Sequence, residues 1–464
     1  MTVRHPRRPG GAAVRAGAAA AARTSLAATA LAGSLLVSPL GALPAAAAAD
    51  PGDGLWSYTA TGVAEAHATT TGEGLTVAVL SGTINPAAPD LVGADVQAST
   101  TCYDADGTQR SPVSTGPDAL VGTEATALIV GTGAGAAGQP GVRGVAPGAS
   151  VLHVAVEGMA GIHGINGELF TCLPRTGEMG SHFFADAVDL AIEAGAKILV
   201  LPSRPALVFD DTEIDALLRA YEAGMVVVAE AEYSFIDEKV QEPATLNGVV
   251  SVSATDASGD LPAYFTPPRD RQLAVLAPGA VLRTPAVGAA GAWDAYALTA
   301  EVDRFGAPWT AGVLALAWSQ HPDATANQMI QALVRTTAGA ADDGELPRHD
   351  DEYGYGLVSV PRLLAVDPTT LPDENPLWHP VSDSGARPTT TQIHEATGYT
   401  EPTAEPTDDA AEDPAGPYDE DGDAGGSGAS GFPLTPVLGG AAALLVAAAV
   451  AAVLVRRRAT RRDT

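Results

Sequence analysis

Acyl transfer by a side-chain nucleophile needs a hydroxyl or thiol, a base to take its proton and a carboxylate to orient that base. The 464-residue chain holds nine histidines and two cysteines, yet no compact Ser/His/Asp set stands out along it. The stretch 77–91, VAVLSGTINPAAPDL, reads as a buried strand delivering a turn, with the hydroxyl of Ser81 at the strand's end. The stretch 121–134, VGTEATALIVGTGA, offers Glu124 as a proton acceptor, which reads as a helix-surface carboxylate rather than a base. His153, His163 and His182 fall in other segments and read as structural or solvent-facing. Residues 302–307, VDRFGA, contain neither hydroxyl nor thiol.

The elements that must position these residues alternate between strand and helix. Short apolar, β-branched runs at 75–80, 151–156, 197–201, 225–229, 249–253 and 273–276 suit a parallel sheet covered on both faces. Between them, 182–196 (HFFADAVDLAIEAGA) and 211–224 (DTEIDALLRAYEAG) space their apolar positions as amphipathic helices and end near glycine. Such alternation predicts an α/β three-layer domain with a mostly parallel sheet.

The two ends of the chain address it to a membrane. Residues 1–49 begin with five arginines and no acid, continue through an apolar run and close on small residues near Ala49, the pattern of a signal peptide. The Arg7-Arg8 pair leaves the export route, general secretory or twin-arginine, open. Residues 436–455 are an uncharged stretch of about the twenty residues that a bilayer requires. The basic tail 456–464 follows, which places the C-terminus in the cytoplasm and the bulk of the chain outside it. Between residue 50 and about 365 the composition is that of a packed domain; 366–435, rich in Pro, Thr, Asp, Glu and Gly, reads as a disordered acidic linker.

Ten of the 25 basic residues lie in leader and tail, and one of the 55 acidic residues lies in the tail. That leaves 15 against 54, a net charge of −39 over 50–455, which excludes nucleic acid as a partner. The acidic run YDEDGDAGGSG solvates the linker rather than forming a cation site, and no cofactor is implied. Cys102 and Cys172 both fall in the exported region, where they are expected to form a disulfide, two free thiols being the alternative.

In order, GLTVAVLSGTINPAAPDL, VGTEATALIVGTGA, GVRGVAPGASVLHVAV, AVDLAIEAGAKILVLPS, LNGVVSVSATDASGDLPAYFTPP, RFGAPWTAGVLALAWSQ and YGYGLVSVPRLL resemble the subtilisin-like (S8) serine peptidases over about 300 residues. The order of leader, domain, acidic segment, span and basic tail resembles the mycosins, membrane-anchored members associated with actinobacterial type VII secretion. The resemblance puts the catalytic aspartate at Ser81, the histidine at Val121, the nucleophile at Arg304 and the oxyanion-binding amide at Tyr233. Valine accepts no proton and arginine does not attack a carbonyl. The resemblance therefore implies a pseudopeptidase acting as a structural or regulatory subunit of a type VII secretion membrane complex. A non-catalytic peptide-binding ectodomain and an endopeptidase with displaced catalytic residues are the alternatives. At a helix N-terminus the Arg304 cation is expected to pair with a carboxylate, from Glu301, Asp303, Glu124, Glu230 or Glu232, the alternative being a side chain that points to solvent.

Overall fold

The computed structural model describes residues 53–104, 106–156, 183–202, 209–231, 233–234, 239–240, 242–261, 273–299, 305–350, 352–378 and 387–399. Cys172, His163, His182, Glu232, Glu301, Asp303 and Arg304 lie outside them, as do the expected signal peptide, the span at 436–455 and the basic tail. No helix among the described residues is long and apolar enough to cross a membrane.

The chain enters through two short helices, α1 (Trp56–Thr59) and α2 (Val63–Ala66). Then come β1 (Thr76–Ser81), β2 (Val96–Thr100), α3 (Leu120–Val130), β3 (Ser150–Ala155), α4 (Phe183–Glu193), β4 (Ile198–Leu201), α5 (Asp211–Glu222) and β5 (Val226–Glu230). A two-residue ribbon of β6 (Tyr233–Ser234) and β7 (Lys239–Val240) precedes β8 (Val250–Thr255) and β9 (Val275–Pro278). The hairpin β10 (Arg283–Ala286) and β11 (Ala295–Leu298) leads to α6 (Gly306–Gln320), α7 (Ala326–Arg335), α8 (Val360–Leu363) and α9 (Thr390–Thr397).

Seven strands form one sheet in the order β2-β3-β1-β4-β5-β8-β9, every neighbouring pair parallel. Each of the six strands expected from apolar runs is in it. The alternation of side chains along β1 divides the core: Val77 and Val79 pack with α3, α6 and α7, while Ala78 and Leu80 pack with α4 and α5. Both faces of the sheet are thus covered, which is why its strands are apolar throughout, and the three-layer α/β arrangement is the one expected. The largest buried side chains of α6, Trp309 and Trp318, find acceptors for their indole N–H groups in Ser57 O (3.2 Å) and Ala324 O (3.0 Å). Cys102, beyond β2, is buried and disulfide-bonded.

Within the segment read as a linker, 366–435, the described residues 366–378 and 387–399 correct that reading. Asp367 caps a 3₁₀ turn at Pro368–Thr370, and Asn375 and Leu377 are buried. Further on, Thr389 and Gln392 form a reciprocal capping box that starts α9, and the helix docks on α5. Asn247 ties the approach down twice, its N–H donating to Arg387 O (2.9 Å) and its side-chain amide to Pro388 O (3.1 Å). Ile393 is the wholly buried residue of a mostly polar helix, and Trp378, His394 and Tyr399 form a ring cluster with centroids 4.7–5.3 Å apart. Composition misleads here because one buried isoleucine and a cap suffice to dock eight residues.

If α9 is part of the domain, Ile393→Ala removes a fully buried side chain and lowers its stability by about 2–4 kcal/mol. Urea unfolding of the variant beside the parent measures this, and an unchanged midpoint would mean that the helix only rests on the surface.

Candidate functional site

The carboxyl ends of parallel strands are where open α/β sheets place their ligands, and β1 ends there in Ser81. This residue is 1 % exposed, and its hydroxyl has no hydrogen-bond partner among the described residues. The backbone then turns through Gly82 and Thr83. Gly82 O accepts a hydrogen bond from His153 Nε2 (2.7 Å), and Thr83 Oγ1 donates to Asp118 Oδ2 (2.8 Å) just ahead of α3.

The helix α3 comes down onto this turn. A side chain at Gly122 would bring its Cβ within 2.5 Å of Thr83 O and 2.6 Å of His153 Cε1, so only glycine permits the approach. At the next residue, Thr123 Oγ1 donates to Ala119 O (2.6 Å) and accepts from Asn85 N–H (2.9 Å), stitching the turn after β1 to the helix. The packing brings together the strand end and the helix start to which the resemblance assigns acid and base. They carry Ser81 and the half-exposed Val121.

His153, on β3, sits fully buried beneath this junction. With Nε2–H given to Gly82 O, its Nδ1 is left to accept from Thr126 Oγ1 (3.3 Å), which fixes the neutral ring. Burial pushes its pKa down to about 4 against the partial opposition of the Gly82 hydrogen bond. It is a packing residue here, in keeping with the structural reading of the sequence.

Glu124 differs from the expectation of a surface carboxylate. It is half-buried, and Thr284 Oγ1 on β10 donates to its Oε1 at 2.8 Å. The reason is tertiary: the β10–β11 hairpin lies against α3 and turns an outward position into an interface. The hairpin is fastened at three further points that sequence reasoning missed. Arg283 stacks its guanidinium over the Tyr296 ring (4.1 Å) while donating to Pro140 O (2.9 Å) and Gln139 Oε1 (3.1 Å). The Tyr296 hydroxyl donates to buried Asp90, whose Oδ1 also accepts Val142 N–H (2.6 Å). Burial, then the Asp90 charge, pushes the Tyr296 pKa well above the usual phenol value. At the hairpin's far end Trp293 Nε1 donates to Thr115 O (3.0 Å). The PDL motif around Asp90 was the available signal, since a buried Asp after a turn requires donors.

The helix α6 starts at the same edge of the sheet. Its N-cap, Phe305, supplies no side-chain acceptor, and Glu230 at the end of β5 reaches across so that its Oε2 accepts Ala307 N–H (2.8 Å). Tyr233, expected as the oxyanion position, lies in β6, where its backbone pairs with Val240. Among the described residues no group of His, Cys, Asp and Glu is arranged to hold a metal ion.

A sequence model of the subtilase family (Peptidase_S8) matches residues 72–356, and the chain belongs to that family. It is 26 % identical over 329 residues to fervidolysin of Fervidobacterium pennivorans, covering 67 % of this chain and 43 % of that protein. The chain spans less than half the length of the curated relatives it matches. Among solved structures, proteases of Pseudoalteromonas arctica PAMC 21717 share the fold at a TM-score of 0.50 and 23 % identity, over 68 % of this chain and 97 % of theirs. The MycP3 protease of the type VII (ESX-3) secretion system aligns at a TM-score of 0.48 and 25 % identity, over 69 % of this chain and 90 % of its own.

His153 makes stability pH-dependent in a defined window. The unfolded chain binds the His153 proton below about 6.5 and the folded chain only below about 4, so stability is full above the first value and is lost as pH falls towards the second. The loss expected from this group is about 3 kcal/mol. Denaturant unfolding from pH 7 to 4.5 measures it. In His153→Gln the pH slope in that window should largely vanish, and an equal slope in parent and variant would assign the effect elsewhere.

Proposed function

We propose that this chain is a membrane-anchored, extracytoplasmic subtilase-fold subunit without peptidase activity, serving as a structural or regulatory part of an actinobacterial type VII secretion system. The observation that carries the loss of activity is the β1–α3 junction. Its packing is maintained by Gly122, His153 and Thr123, while the positions that the family resemblance gives to acid and base hold Ser81 and Val121. A serine hydroxyl carries no charge to stabilise an imidazolium, and a valine provides no imidazole. Arg304 and Tyr233, at the nucleophile and oxyanion positions by the same resemblance, remove the remaining parts of the reaction.

Membrane anchoring rests on the sequence of 436–455 and the arginines that follow it, and the secretion-system assignment rests on the order of segments along the chain, which resembles the mycosins. For such a subunit the domain is a rigid body held near the membrane surface, and its value to the complex lies in shape and contacts. The pairing of Cys102 with Cys172, the other cysteine of the chain, belongs to the same proposal, since an exported domain gains from a loop closed covalently.

Affinity purification of the full-length chain from native membranes tests the assignment. Integral membrane proteins of a type VII system should co-purify, and deleting 436–464 should abolish their recovery. Recovery of the intact chain alone would contradict a role in that complex.

A further inference from the structure

The carboxyl edge of the sheet holds a feature that the loss of a triad does not require. Glu230, the last residue of β5, is 4 % exposed, a rare place for a carboxylate. Burying such a charge is costly unless donors and a favourable field receive it. Both are present at the start of α6. The helix spans fifteen residues, and its first turn exposes N–H groups and the positive end of its dipole. Among the described residues of the helix start nothing answers them, because Phe305 at the N-cap has no acceptor and the first turn holds no acidic residue. Pro308, third in the helix, has no N–H to satisfy.

Glu230 fills this vacancy from another element. Its Oε2 takes Ala307 N–H at 2.8 Å, while the backbone around it is clamped in the sheet: Glu230 is in register with Val252, and Ala231 N–H donates to Val252 O (2.7 Å). Room for the carboxylate is made by Gly306. A Cβ there would lie 3.2 Å from Glu230 Oε1 and 3.0 Å from Val252 Cγ1, so a side chain at the first helical position would press on the seated carboxyl group. Two residues distant in sequence are fitted to each other, a buried carboxyl group on a strand and a backbone N–H at the start of a helix.

We propose that Glu230 is an internal anionic ligand of α6. It takes the anion position at the carboxyl edge of the sheet and bars it to any external carboxylate or oxyanion, so that the former reaction centre is occupied by the chain itself. The proposal deepens the reading of a site that performs no acyl transfer. Its test depends on neither peptidase activity nor a partner, so the two fail separately.

The experiment is thermal unfolding of the purified full-length protein, its Glu230→Ala and its Glu230→Gln variants, each with acetate or with chloride at matched ionic strength. Glu230→Ala should lower Tm by about 4 °C or more. Acetate, a free carboxylate able to enter the vacated place, should restore part of that loss by binding the folded state, with no such effect on the parent. Glu230→Gln, which keeps an acceptor and loses the charge, should fall between parent and alanine variant. Should the alanine variant fail to fold, the glutamine variant decides: a lowered Tm supports the proposal and an unchanged or raised Tm overturns it. A folded alanine variant as stable as the parent, or one that acetate does not stabilise, overturns it, as does a parent that acetate stabilises as much as the alanine variant.

Discussion

The approach of α3 to the end of β1 is the contact on which this domain depends. It is possible because residue 122 has no side chain; even a methyl group would enter the carbonyl oxygen of Thr83 and the ring of His153. Through that contact the helix is locked to the turn after β1, and β3 is locked beneath both by the His153–Gly82 hydrogen bond. The hairpin β10–β11 then packs on the outer side of the same helix through Thr284 and Glu124. The geometry that would bring an acid and a base together is therefore also the geometry that closes the core. Gly122 has no substitute at this contact.

The start of α6 obeys the same division between what packs and what reacts. Its helix runs across β4, β5, β8 and β9, and its two tryptophans are wholly buried, so its placement is fixed by apolar contacts along its length. The polar end is held by a carboxylate from the strand it crosses. A helix N-terminus facing the edge of a sheet demands an anion or a cap, and in this chain the demand is met from inside. The edge of the sheet where a subtilase would carry its chemistry is thus rich in structural hydrogen bonds. Ser81 Oγ, like the hydroxyls of Ser253 and Thr310, is buried there without a hydrogen-bond partner among the described residues.

How much of this was legible in the sequence follows from where each signal resides. The central strands announced themselves as β-branched apolar runs because a sheet covered on both faces admits little else. The strand Val96–Thr100 did not, since it lies at the sheet's edge and its residues VQAST are half-polar with mixed exposure. The hairpin also escaped: its connection, 287–294, is too long to resemble a tight turn, and its ties to Asp90, Gln139 and Thr115 are tertiary. The capping box at Thr389 and Gln392 was visible in principle, but the acidic, proline-rich surroundings outweighed it. The capping of α6 by Glu230 spans 77 residues, and a local reading yields only the absence of a cap at Phe305, not its remedy.

The central claim is that a subtilase domain has kept its packing and lost its reaction. The measurement that bears on it most directly is incubation of the purified protein with a fluorophosphonate probe, followed by mass spectrometry of every serine and threonine and by digestion of casein beside an active family member. The account predicts no labelled residue and no cleavage above the buffer blank. Labelling of one hydroxyl, abolished together with casein cleavage when that residue is replaced, would contradict it.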